Sequence, residues 1–169
     1  GKTLGLVGTG NIGREVARLG NALGMKVIAW TFNPSLARAA DIGVEYVELD
    51  ELLRESDVVS MQVRLSEDSA DMIGGREFGL MKPGTIFINA GRGGLVETNA
   101  LVEALNSGHL AGAGLDTFDQ EPLPPDHSIL SCEQVVMTPH IADQTPEGIE
   151  LLNSGVVDNV FAFLDGHPK

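Results

Sequence analysis

Six residues near the start of the chain, Gly8-Thr9-Gly10-Asn11-Ile12-Gly13, constrain its fold more than any others. They follow the short apolar run Thr3–Val7. They open the segment Asn11–Leu23, where Ile12, Val16, Leu19 and Leu23 recur at helical spacing. Glycines at this spacing have separate tasks. Gly8 permits a tight turn, Gly10 lets a ligand approach the main chain, and Gly13 lets the helix pack on the strand. The amides and the positive end of that helix then face an incoming anion. The plainer reading is an ordinary glycine-rich strand-to-helix turn. The position of the motif favours a dinucleotide site, with Gly8, Gly10, Asn11, Ile12 and Gly13 as its contacts.

The rest of the chain keeps the same alternation. Strands are expected at Lys26–Trp30, Val44–Val47, Asp57–Gln62, Thr85–Asn89, Leu110–Leu115 and Gln134–Met137. Between them, helices are expected at Leu36–Asp41, Leu49–Glu55, Glu77–Met81 and Glu97–Asn106, with Asp119–Ser131 a proline-bearing loop. Thr145 as N-cap and Pro146 at the first helical position open a last helix, whose apolar stripe is Ile149, Leu152, Val156, Val160 and Leu164. Such alternation predicts an α/β fold: a doubly wound parallel sheet with helices on both faces, of the Rossmann type. At 169 residues, 43% hydrophobic and 21% charged, one domain over 1–169 is expected.

Composition removes several classes of function. A net charge of −13 repels nucleic acid, and an aromatic content of 5% leaves little to stack bases on. A small anion is still admissible, because local amides outweigh distant charge. No apolar run is long enough to span a bilayer, so no membrane association is expected. The single cysteine, Cys132, allows no internal disulfide and no cysteine-based zinc site. No metal is expected, and a reducing, cytoplasmic setting fits.

Three further positions follow apolar strands. Arg92 stands just beyond Ile86-Phe87-Ile88-Asn89-Ala90-Gly91, where open α/β sheets gather ligands and where a guanidinium holds a carboxylate in a bidentate fork. His140, in Thr138-Pro139-His140, is a candidate general acid or base. Glu121 is positioned in the chain to pair with it, and Asp116 either faces a cofactor ring or caps a turn. The acid that ordinarily ends the second strand and binds ribose hydroxyls is missing from Ala29-Trp30-Thr31-Phe32-Asn33. Thr31 and Asn33 remain as ribose contacts. No Arg or Lys follows until Arg38, so both NAD and NADP stay open.

Taken in order, Gly8–Gly13, Leu80-Met81-Lys82-Pro83-Gly84, Ile88–Val96, Gly112–Asp116, Gln120–Pro124 and Thr138–Ala142 resemble the nucleotide-binding domain of the D-isomer-specific 2-hydroxyacid dehydrogenases. The resemblance runs along nearly the whole chain. It implies hydride transfer between NAD(P) and a 2-oxoacid or D-2-hydroxyacid. Arg92 would grip the substrate, His140 would donate the proton, and Glu121 would keep His140 protonated. Asp116 would bond the nicotinamide amide, and Ala90 would line the cofactor site. A homodimer is implied by the same likeness. Members also carry a substrate-binding domain that this chain does not show. Asp143 departs from the small residue usual there, and Glu121 stands where the formate-specific branch carries Gln. A non-catalytic dinucleotide-sensing module, like the corepressor relatives, is the alternative.

Overall fold

The computed structural model describes residues 1–167; the last two positions of the expected 1–169 domain lie outside the described residues. The chain falls into two compact units, residues 1–139 and the segment that opens at His140.

The first unit holds seven strands: β1 (Thr3–Val7), β2 (Lys26–Trp30), β3 (Glu45–Tyr46), β4 (Val58–Met61), β5 (Thr85–Asn89), β6 (Leu110–Leu115) and β7 (Val135–Met137). They form one sheet in the order β3-β2-β1-β4-β5-β6-β7, and each pairing is parallel. The order reverses between β1 and β4, which opens a crevice beyond their carboxyl ends. Register aligns those ends. Trp30 pairs with Val7, Val7 with Met61, Met61 with Asn89, Asn89 with Leu115 and Leu115 with Met137. Thr31, Gly8, Gln62, Ala90, Asp116 and Thr138 therefore leave the sheet along a single edge.

Alternation along β1 and β2 builds two cores. Leu4, Leu6, Val27 and Ala29 pack with Ala17 of α1 (Asn11–Ala22) and Ile42 of α2 (Leu36–Ile42). Val7 and Ile28 join the larger core, with α3 (Leu49–Glu55), α4 (Gly75–Leu80) and α5 (Thr98–Asn106). Phe78 and Phe87 meet there edge to face, with centroids 5.2 Å apart.

One expectation is corrected at α1. Of its apolar stripe only Val16 packs against the core; Ile12, Leu19 and Leu23 are 69%, 64% and 80% exposed, while Gly13, Ala17 and Gly20 are buried. Small residues win that face because the helix lies close to the strands. A Cβ on Gly20 would stand 2.9 Å from Leu4 Cδ2, and one on Gly13 would stand 2.3 Å from Gly8 O. The loop expected over Asp119–Ser131 holds a 3₁₀ turn at Ser128–Ser131, and the short β3 stops one residue inside the expected strand at each end.

At the opposite edge of the sheet Asp57 ties three elements together. Its carboxylate accepts from Thr3 N at 2.8 Å and Lys2 Nζ at 3.1 Å, and its carbonyl accepts from Ile86 N at 3.1 Å. The amide of Thr3, then the Lys2 ammonium, hold its carboxyl below the usual aspartate range. A lowered folded value means the contribution is complete above the ordinary pKa of about 3.9 and is lost as pH falls through the lowered one. Asp57→Asn is expected to lower Tm by about 2–4 °C at neutral pH, the loss expected for a charge-assisted bond in a chain of this size. In melts read by circular dichroism the gap between variant and wild type should begin to narrow below about pH 3.9 and vanish only below the lowered folded pKa.

The second unit contains α6 (Pro146–Leu164), begun as expected by Thr145, whose hydroxyl accepts from Gly148 N at 3.0 Å. None of its residues is buried, so the stripe from Ile149 to Leu164 lies open.

Candidate active site

The glycine turn has the shape the motif requires. Gly8 has φ +112°, and a Cβ there would meet the Gln62–Val63 main chain at 2.7–2.8 Å. Gly10, by contrast, has nothing within 4 Å of a built Cβ. It is the N-cap of α1 and carries no side-chain cap, so the first amides of the helix keep no side-chain partner at that position. This open, amide-lined step fits a dinucleotide diphosphate. The turn is anchored on both sides: Gly8 N donates to Trp30 O at 2.7 Å, and Thr9 Oγ1 lies 2.8 Å from the Tyr46 hydroxyl. Thr9 is buried. Tyr46 was not legible as a functional residue, because it lies 37 positions from its partner.

Beyond the end of β2 lies a cavity of about 350 Å³ lined by Thr31, Tyr46 and the acids Glu45, Glu48 and Glu51. The carboxylates missing from β2 are thus present beside it, on β3, at the N-cap of α3 and in its first turn. Asn33 is exposed just past Thr31.

A second cavity, about 280 Å³, lies over the reversal of strand order. Ile12 comes from the turn, Gln62 and Arg64 from the end of β4, and Ala90, Gly91 and Arg92 from the end of β5. The loop that presents Arg92 is organised by Asn89, which is buried. Its Nδ2 donates to Arg92 O at 2.9 Å, and its Oδ1 accepts from Gly91 N at 3.1 Å. An Asn closing a strand before Ala-Gly is a turn signal of this kind. The Arg92 guanidinium donates to Gly91 O at 2.7 Å, and the residue is exposed.

Asp116, buried at the end of β6, receives the Thr138 hydroxyl at 2.5 Å. It therefore fixes the strand exit that leads to His140, a task besides any contact with a cofactor. Glu121 accepts from Phe118 N at 2.9 Å, which holds its carboxylate against its own loop. His140 itself opens the second unit with φ 55°, a left-handed conformation that non-glycine residues seldom hold and that collects at functional sites. After it, Thr145 N donates to Asp143 O at 2.9 Å, so the Asp143 main chain closes the turn into α6. Among the described residues no helix is long and apolar enough to cross a membrane.

A parallel sheet with a glycine turn at the point where the strand order reverses is the architecture of a dinucleotide-binding domain. Residues 1–142 match the NAD-binding domain of the D-isomer specific 2-hydroxyacid dehydrogenases, and the chain belongs to that family. It is 43% identical over 166 residues to a glyoxylate reductase of Thermococcus litoralis, covering 98% of this chain and 50% of that protein. It is 40% identical over 173 residues to a glycerate dehydrogenase of Methylorubrum extorquens, covering 100% of this chain and 52% of that protein. Among solved structures, a D-lactate dehydrogenase of Aquifex aeolicus complexed with NAD and lactic acid superposes with a TM-score of 0.90 at 38% identity. That superposition covers 98% of this chain and 54% of the other. The chain spans about half the length of the curated relatives it matches.

Proposed function

We propose that this chain is the cofactor half of an NAD-dependent enzyme that interconverts a 2-oxoacid and a D-2-hydroxyacid. The reading rests above all on Arg92 sharing one cavity with the glycine turn's Ile12 at the crevice. When bound, the nicotinamide supplies or accepts the hydride. Arg92 holds the substrate carboxylate and stabilises negative charge on the carbonyl oxygen. His140 passes the proton to that oxygen, and Glu121 keeps His140 charged until it does. Gly8, Gly10, Asn11, Ile12 and Gly13 seat the diphosphate, Thr31 and Asn33 meet the adenosine ribose, and Ala90 and Asp116 lie by the nicotinamide. The acids Glu45, Glu48 and Glu51 beside Thr31 favour NAD(H), since a 2′-phosphate would add charge of the same sign.

The exposed apolar residues of α1 and α6 support a homodimer. A cytoplasmic site of action fits the single cysteine, Cys132, which is free and has no second cysteine in the chain to form a disulfide with. Titration by NADH fluorescence tests the core of the proposal. Saturable binding is expected, tighter than for NADPH. In Gly10→Ala, whose new Cβ meets only the space left for ligand, affinity should fall at least about tenfold with Tm unchanged. A folded chain that binds neither nucleotide sinks the proposal.

A further inference from the structure

The glycine turn carries no cation of its own. Between Gly8 and Gly13 the only polar side chains are those of Thr9 and Asn11, and the first arginine after them, Arg14, is held by Asp41 at 2.7 Å. Backbone amides alone therefore face the two charges of a diphosphate. The structure places a further guanidinium in the cavity that Ile12 of the turn lines. Among the described residues every lysine and arginine stands in an ion pair except Arg38, Arg64 and Arg92. Two of these three, Arg64 and Arg92, line the same cavity, and no carboxylate lines it. In a chain of net charge −13, two guanidiniums left together without a counter-ion mark a place that expects an anion.

Arg92 is accounted for by the substrate carboxylate. Arg64 is not, and its place on the chain distinguishes it. The two residues before it, Gln62 and Val63, are those whose main chain packs against Gly8, and Gln62 N donates to Val7 O at 2.7 Å. Arg64 thus leaves the sheet beside the glycine turn, on β4, whereas Arg92 leaves from β5. We infer that Arg64 is the cationic anchor of the cofactor diphosphate, supplying the charge that the turn itself lacks. The inference rests on the dinucleotide reading above and assigns a residue within it.

The test compares Arg64→Gln with wild type by NADH fluorescence titration, with ADP-ribose as a competitor that keeps the diphosphate and lacks the nicotinamide. Loss of one charge-assisted bond is expected to weaken both ligands about tenfold. Arg64→Lys, which keeps a point charge, should recover most of that loss. Added salt should weaken NADH binding less in Arg64→Gln than in wild type. Tm should not move, because Arg64 makes no ion pair among the described residues. Arg38→Gln removes an equal charge outside the cavity and should leave both affinities unchanged. Unchanged NADH and ADP-ribose affinities in Arg64→Gln overturn the inference, and so does an equal loss in Arg38→Gln. A raised KM for the 2-oxoacid with intact NADH binding also overturns it and assigns Arg64 to the substrate. If wild type binds no NADH, it is the dinucleotide reading that fails.

Discussion

Gly93→Ala is expected to be among the most damaging single substitutions in the chain. A Cβ on Gly93 would lie 1.9 Å from Phe118 C, 2.0 Å from Phe118 O and 2.3 Å from Asp119 N. These are main-chain atoms, so no rotamer change relieves the overlap. One of two segments must move: the turn that carries Arg92, or the loop that carries Glu121. Forced overpacking of this kind costs about 3 kcal/mol or more. In a domain of this size that corresponds to a fall in Tm of about 6–12 °C. Chemical denaturation with two probes checks it. A variant as stable as wild type would mean that the close approach of Gly93 to Phe118 does not exist in solution.

His140→Gln should leave the fold and the cofactor site intact and remove the chemistry. Glutamine approximates the size of imidazole and offers hydrogen bonds, but it cannot deliver a proton. Turnover of a 2-oxoacid with NADH by the enzyme is expected to fall by about 10²–10⁴, the ordinary worth of a positioned general acid. NADH affinity should stay within about twofold, because the nucleotide contacts proposed above lie in residues 8–116. This result also separates the two classes of function considered for the chain. A dinucleotide sensor has no turnover for His140→Gln to lose, whereas a dehydrogenase loses turnover and keeps binding.

Several features of the site were readable from residue order because they are local. The glycine spacing, the run into Arg92 and the cap at Thr145 each depend on a few neighbouring residues, and each appears where local rules put it. The alternation of strands and helices was legible for the same reason, and a parallel sheet follows from it because parallel neighbours need a crossover between them. The face of α1 was not legible. Periodicity finds an apolar stripe, but it does not say that the helix comes so close that Gly13, Ala17 and Gly20 fill most of the face beneath it.

Longer-range pairings were silent in the chain. Thr9 with Tyr46, Asp116 with Thr138 and Gly93 with Phe118 join residues 22 to 37 positions apart. The same holds for the carboxylates near the end of β2. Their absence from Thr31–Asn33 left cofactor choice open, until β3 and α3 brought Glu45, Glu48 and Glu51 to the same cavity. Arg64 and Arg92 lie 28 residues apart and share a cavity only because β4 and β5 pair in register. The amino-acid sequence by itself determined the class of fold, the phosphate-binding turn and the family, since all three are written in short segments whose backbone demands are local. Only the tertiary structure decided which charges share a cavity and which side chains steady the turn, because those are contacts between segments that sheet register brings together.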